Sequence, residues 1–227
     1  MNVGTVLVTG GVSGLGAAVV EAVTDAGGRP VVLDRVEPES SVESELVDLA
    51  DREHTEAAVR AVSARTGGID AVVTCAGIDS CGRLEDVPAA EWDQVIRVNL
   101  MGTAAVIRAA LPDLRRRQGR VVTVASTLGL RAVSDATAYC AAKFGVVGFT
   151  RALAAETAGQ IGVTLLIPGG MQTPFFDGRD EQYKPPPDAK LNRPQDVAAT
   201  VLFALRQPPG CEVRELIVTP SVEGSWP

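Results

Sequence analysis

The sequence has a single histidine, His54, and only four cysteines: Cys75, Cys81, Cys140 and Cys211. None forms a CxxC pair and none lies near His54 in sequence, so the ligand spacing of a zinc site is missing and no metal is expected. Scattered thiols of this kind suit buried, free cysteines in a reducing compartment. Basic residues are in the minority, with 21 Lys and Arg against 28 Asp and Glu and a net charge of −7. Nucleic acid requires a basic face, so no nucleic-acid partner is expected. The one basic cluster, Arg115 to Arg117, closes a helical stretch, where cations complement the helix dipole. No apolar run reaches membrane-span length, and the start, MNVGTVLVTGG, has no basic segment followed by an apolar one. No membrane partner is expected, and the protein is expected to be cytoplasmic.

What is present is a regular alternation. Hydrophobic residues make up 46% of 227 positions, enough for one α/β domain spanning 1–227. Short β-branched runs predict strands at 5–9, 30–34, 44–48, 71–75, 120–125, 163–167 and 215–218. Alanine-rich stretches at 16–26, 52–66, 90–117, 137–159 and 194–206 predict helices. Strands separated by helices imply a doubly wound parallel sheet with helices on both faces, and continuous apolar strands such as VVL and RVVTVA fit burial on both sides. The proline-rich polar stretch 177–194 is expected to be a mobile lid (about 174–194 in all) rather than a linker, since too little chain follows it for a second domain.

Thr9-Gly10-Gly11-Val12-Ser13-Gly14-Leu15-Gly16 follows the first strand and opens the first helix. Gly10, Gly14 and Gly16 allow a tight turn, close approach of the backbone to a pyrophosphate, and helix–strand packing; the helix start supplies N–H groups and positive dipole. Gly10, Ser13, Gly14, Leu15 and Gly16 are therefore candidate nucleotide contacts. Asp34 ends the second strand, where a carboxylate accepts hydrogen bonds from the adenosine ribose and repels a 2′-phosphate. Arg35 beside it could receive that phosphate. With no basic residue in the glycine loop, NAD is favoured and NADP is the alternative.

Tyr139 and Lys143 stand four apart in a helical stretch and share one face. A phenol is a poor base at neutral pH, and a neighbouring ammonium is expected to lower its pKa for proton transfer. Ser126 ends the strand RVVTVAS, where a hydroxyl can hold a substrate oxygen. Asn99 is a mediocre helix former inside a long helix. Pro168-Gly169-Gly170-Met171-Gln172-Thr173 follows another buried strand, at the carboxyl edge where open α/β sheets bind ligands.

In this order and at these spacings, TGGVSGLG (9–16), Asp34, Asp48-Leu49, CAG (75–77), Asn99, Ser126, Tyr139 with Lys143, and PGGMQT (168–173) resemble the short-chain dehydrogenase/reductase family over almost the whole chain. The resemblance implies a Rossmann-type sheet of about seven parallel strands. It implies Tyr139 as general acid/base, Lys143 as the residue that lowers its pKa and holds the nicotinamide ribose, Ser126 polarising the substrate oxygen, and Asn99 holding a relay water. Asp48 and Leu49 would flank the adenine, Ala76 and Gly77 would line the cofactor, and Pro168, Gly169, Met171 and Thr173 would lie along its nicotinamide half. The family's Asn-Asn-Ala-Gly is replaced by Thr74-Cys75-Ala76-Gly77, which removes a strand-anchoring hydrogen bond. A homodimer or homotetramer through the helices 90–117 and 137–159 is implied. Leu128, Leu130, Met171, Phe175 and Phe176 fall on substrate-facing segments and suggest a largely apolar alcohol or ketone. The implied activity is NAD(H)-dependent interconversion of a secondary alcohol and a ketone. An NADP-dependent ketoreductase of acyl-carrier-bound substrates is the alternative, and a non-catalytic NAD-binding regulator the alternative outside enzymology.

Overall fold

The computed structural model describes residues 3–39 and 41–226. The β-branched runs form seven strands: β1 (Thr5–Thr9), β2 (Arg29–Asp34), β3 (Glu43–Leu46), β4 (Ala71–Thr74), β5 (Arg120–Val124), β6 (Gly162–Pro168) and β7 (Glu215–Val218). They pair in parallel in the order β3-β2-β1-β4-β5-β6-β7. The direction of winding reverses between β1 and β4, and such a switch point opens a crevice at the carboxyl edge of the sheet. Every residue of β1, β4 and β6 is buried, as expected of strands covered on both faces.

Helices α1 (Gly14–Asp25) and α6 (Pro194–Leu205) cover one face, with Val19, Val23, Val197 and Val201 packed on Val6, Val8, Val73 and Val122. Helices α2 (Arg52–Thr66) and α4 (Thr103–Arg117) cover the other, with Val59, Val62, Ile107 and Leu114 on Leu7, Val31, Val72 and Val121. Full burial of each such side chain contributes about 1.5–3 kcal/mol relative to exposure. The expected helix at 90–117 is continuous but not uniform: α3 (Ala89–Ile96) passes through a π-helical segment (Arg97–Gly102) into α4. Helix α5 (Thr137–Glu156) packs beside it.

Two expectations require correction. The helical run Ala89–Arg117 is long and apolar enough, at mean hydropathy 1.3 in its best window, to pass for a membrane span by length and composition. Unbroken apolar runs miss it because Asp93, Gln94 and Arg97 interrupt the apolar residues, and half of that window is buried inside the fold. The cysteines are not uniformly buried either. Cys140 is buried, Cys75 and Cys81 are half-buried, and Cys211 is exposed.

Between β2 and β3 the described residues, 35–39 and 41–42, form no helix. Parallel crossovers normally need a dozen residues or more. The shortcut leaves β3 half-exposed, held by ion pairs of Glu43 with Arg29 and Arg65 and of Glu45 with Arg65. A groove of about 1070 Å³ opens beside α1, lined by Val20, Glu21, Pro30, Val36 and Glu43 among others.

Candidate active site

The glycine loop is wedged between segments that follow other strands. Gly10 has φ +66, and a Cβ there would stand 2.8 Å from the Ala76 Cα; a Cβ on Gly16 would stand 2.0 Å from the Gly10 carbonyl oxygen. Only glycine fits either position. Gly14 faces Thr173, 3.3 Å from where its Cβ would be. Helix α1 therefore starts at the centre of the carboxyl edge. Its N-cap Ser13 makes no side-chain capping bond, so its hydroxyl and the first-turn N–H groups are available to an anion. Leu15 turns into the core.

Asp34 is oriented by the same loop: its carboxylate accepts from the Val12 N–H at 3.1 Å and the Val36 N–H at 3.3 Å. Arg35 is exposed beside it. Asp48 closes the turn before α2, accepting from the Ala50 N–H at 2.9 Å, whereas Leu49 is buried and packs close to Gly102. The side chain of Leu49 thus serves the core. Pro168 and Gly169 hold β6 to β7, with the Gly169 N–H donating to the Val218 carbonyl, and Met171 bridges to Asn192.

Two of the four polar residues, Asn99 and Lys143, meet at Gly77, and Tyr139 and Ser126 follow on from Lys143. A Cβ on Gly77 would lie 3.5 Å from Asn99 Oδ1 and 3.7 Å from Lys143 Nζ. Lys143 is buried, donates to the Val124 carbonyl at 2.9 Å, and sits 5.5 Å from the centre of the Tyr139 ring. Ser126 caps a 3₁₀ turn, with its Oγ accepting from the Leu128 N–H at 3.1 Å, and also hydrogen-bonds the Tyr139 hydroxyl. Asn99 lies in the π-helical segment, and its amide is used at both ends on Ile78: Oδ1 accepts from the N–H and Nδ2 donates to the carbonyl, each at 2.8 Å. The side chain therefore clamps the loop after β4.

Burial dominates the electrostatics. It pushes the Tyr139 phenol well above its ordinary value; the Ser126 hydrogen bond and Arg179 oppose this, while Asp79 and Cys140 add to it. Burial also pushes the Lys143 ammonium down to about 8, against the pull of Cys75 and Asp79. The expected lowering relied on Lys143 aided by the positive nicotinamide ring; in the protein alone, desolvation of the phenolate is the largest influence on the phenol.

The family model of the short chain dehydrogenases matches residues 4–184. The chain belongs to that family. As a short-chain dehydrogenase it is an oxidoreductase, and it is 31% identical to the L-fucose dehydrogenase of Mus musculus, an alignment covering 96% of this chain and 88% of the mouse protein. It is 33% identical to the D-beta-hydroxybutyrate dehydrogenase of Cupriavidus necator, over 92% of this chain and 85% of that one. The fold matches the alcohol dehydrogenase of Thermococcus sibiricus complexed with 5-hydroxy-NADP with a TM-score of 0.86, 25% identity and 96% coverage of both chains.

This short-chain dehydrogenase departs from its family's pattern at Thr74-Cys75. The Thr74 hydroxyl is buried without a partner among the described residues, and Thr9 anchors the following segment by accepting from the Ala76 N–H at 3.1 Å. Three residues near the site escaped the sequence reading. Asp79, two positions past Gly77, is paired with Arg179 of the 174–194 segment at 2.9 Å. Glu223 folds the C-terminal tail back, accepting from the Gly170 N–H at 3.1 Å and from Ser225, whose hydroxyl also meets Thr127 beside Ser126. The place of Asp79 just after CAG was a usable signal; Arg179 and Glu223 had none. The expectation of a largely apolar substrate region rested on Leu128, Leu130, Met171, Phe175 and Phe176 and took no account of Arg179, which lies over the two phenylalanine rings.

Proposed function

We propose that this short-chain dehydrogenase interconverts a secondary alcohol and a ketone with NAD, using Tyr139 as general acid/base. The observation that carries this is a connected set of side chains, Asn99 and Lys143 at Gly77, Tyr139 beside Lys143 and Ser126 beside Tyr139, next to a glycine cradle that a single Cβ would fill. The cradle, the uncapped start of α1 and the Asp34 carboxylate suit a dinucleotide: the first-turn N–H groups for its pyrophosphate and Asp34 for its adenosine ribose. Bound there, the cofactor supplies the hydride acceptor or donor. Ser126 holds the substrate oxygen by hydrogen bonding, and Tyr139, partnered with Ser126, takes the hydroxyl proton as the carbinol carbon loses hydride or returns it in reduction. Lys143, fixed on the Val124 carbonyl, supplies positive charge next to the phenol.

Asp34 supports NAD over NADP, since a 2′-phosphate would set like charges together and remove a donor to the carboxylate. Arg35 supports the opposite choice, and the Thermococcus sibiricus relative holds an NADP analogue. The named substrates of the two curated relatives, a sugar and a hydroxy acid, support an alcohol with further polar groups.

Hydride-transfer assays with each cofactor over a panel of secondary alcohols and ketones, on wild type and Tyr139→Phe, test the proposal. Wild type is expected to favour NAD in kcat/KM. Tyr139→Phe should lose a factor of roughly a thousand or more in turnover while binding NAD normally by calorimetry, because only the proton-transferring hydroxyl is removed. A variant with near-normal kcat would overturn the assignment of Tyr139, and a wild-type preference for NADP would give the ribose pocket to Arg35.

A further inference from the structure

The 174–194 segment brings a charged group to the catalytic tyrosine that the proposed chemistry does not use. The Arg179 guanidinium lies over the rings of Phe175 and Phe176, 4.6 and 4.8 Å from their centres, and the Phe175 ring stands 5.6 Å from that of Tyr139. One terminal nitrogen donates to Asp79 Oδ2 at 2.9 Å, and the two side chains are only 17% and 5% exposed. Arg179 Nε is buried and has no hydrogen-bond partner among the described residues. A buried ion pair gains little stability over apolar packing, because desolvation offsets the attraction, and a buried donor left unmatched is unfavourable in itself. Both features are explained by a ligand that supplies an acceptor oxygen at this place.

We infer that Asp79 and Arg179 form the substrate-recognition pair and that the substrate is a vicinal diol or polyol, whose hydroxyl next to the reacting carbinol accepts from Arg179 Nε and donates to the Asp79 carboxylate. The inference rests on the alcohol–ketone chemistry proposed above and narrows its substrate class. A hydroxyl group is donor and acceptor at once, so one group satisfies both partners. A hydrocarbon would leave Nε unmatched. A carboxylate would place a second negative charge beside Asp79, on a pair already neutral. Sites built to hydrogen-bond a substrate hydroxyl discriminate strongly against the analogue lacking it.

Butane-2,3-diol, butan-2-ol and 3-hydroxybutyrate share four carbons and a methyl carbinol; the first carries a hydroxyl on the neighbouring carbon, the second only hydrogen, and the third a carboxylate one carbon further out. Wild-type kcat/KM is expected to be about a hundredfold or more higher for the diol than for butan-2-ol, and higher than for the hydroxy acid. Arg179→Met should shrink the diol-to-alcohol ratio at least tenfold. A merely structural role for Arg179 would lower all rates together and leave that ratio unchanged, which overturns the inference, as does a wild-type preference for butan-2-ol or for the hydroxy acid. If the variant does not fold, the wild-type ratios decide alone. Absence of turnover with all three would overturn the reaction proposed above; ligand-observed NMR of the diol and butan-2-ol on the NAD-loaded protein then judges the inference separately, with equal binding of the two counting against it.

Discussion

At the scale of single residues, Lys143 carries the clearest physical consequence. Its ammonium is buried, and burial brings its proton release down to about 8 from an ordinary 10.5. Between those values the unfolded chain holds a proton that the folded one has released, so stability should rise with pH from about 8 to 9; above 9 the Cys75 and Cys81 thiols, pushed up by burial to about 12 and about 11, work in the opposite sense. Below 8 the penalty for burying the charge is present in full. Lys143→Met should therefore be more stable than wild type at pH 7, by roughly 3 kcal/mol at most, and should show no rise over that window. Tyr139 works in the opposite sense above pH 10, where the unfolded phenol ionises before the buried one. Denaturant titrations of both proteins at intervals from pH 7 to 9 measure this; a stability difference between wild type and Lys143→Met that does not change over that range would mean that the lysine is not desolvated. The Tyr139–Lys143 pair was legible because helical spacing puts positions four apart on one face. Arg179 was not, because its partner Asp79 lies 100 residues away and the segment holding it has no periodicity from which to place a side chain.

At the scale of elements, the long helix after the loop 77–88 shows where local pattern runs out. Its apolar period predicts a helix, and a helix is there, but the period says nothing about a wider turn within it. The π-helical segment Arg97–Gly102 shifts the register by one residue and buries Asn99 against the segment after β4. The Asn99 amide then ties the helix to both backbone groups of Ile78, and Ile78 is followed by Asp79. Asn99 was recognised as unusual for a helix, while its actual partner depended on tertiary contact. Asn99→Ala should leave the Ile78 N–H and carbonyl without partners and cost about 2 kcal/mol, at roughly 1 kcal/mol for each hydrogen bond. In a chain of this size that lowers Tm by about 4–8 °C. Thermal unfolding of wild type, Asn99→Ala and Asn99→Asp separates the two bonds, since aspartate keeps the acceptor and loses the donor. An alanine variant as stable as wild type would show that the clamp does not hold the loop.

At the scale of the molecule, the doubly wound parallel sheet followed from the alternation of short apolar runs with helices, because a parallel sheet requires crossovers and the crossovers are visible; the strand order came with the structure. The missing helix between β2 and β3 was also visible as a short gap, yet the groove it leaves beside α1 emerged only with the structure. What the surface presents has a consequence for assembly. Met101, in the π-helical segment, and Phe144, on α5, are 51% and 45% exposed. The two elements meet where Gly145 packs on Leu100, a Cβ there standing 2.7 Å from the leucine side chain, and Met101 and Phe144 are the sequence neighbours of those two residues. Large apolar side chains left exposed on two helices that pack together suit a twofold interface in which each copy covers the other. Sedimentation at micromolar concentration is therefore expected to show a dimer or a larger closed assembly. Met101→Glu with Phe144→Glu should weaken association at least tenfold, because each twofold contact would then bury unpaired carboxylates. The Tyr139 site lies on the same helix as Phe144, so activity measured over a dilution series tells whether assembly matters for catalysis. A wild-type chain that sediments as a monomer throughout would show that these exposed side chains are simply tolerated in water.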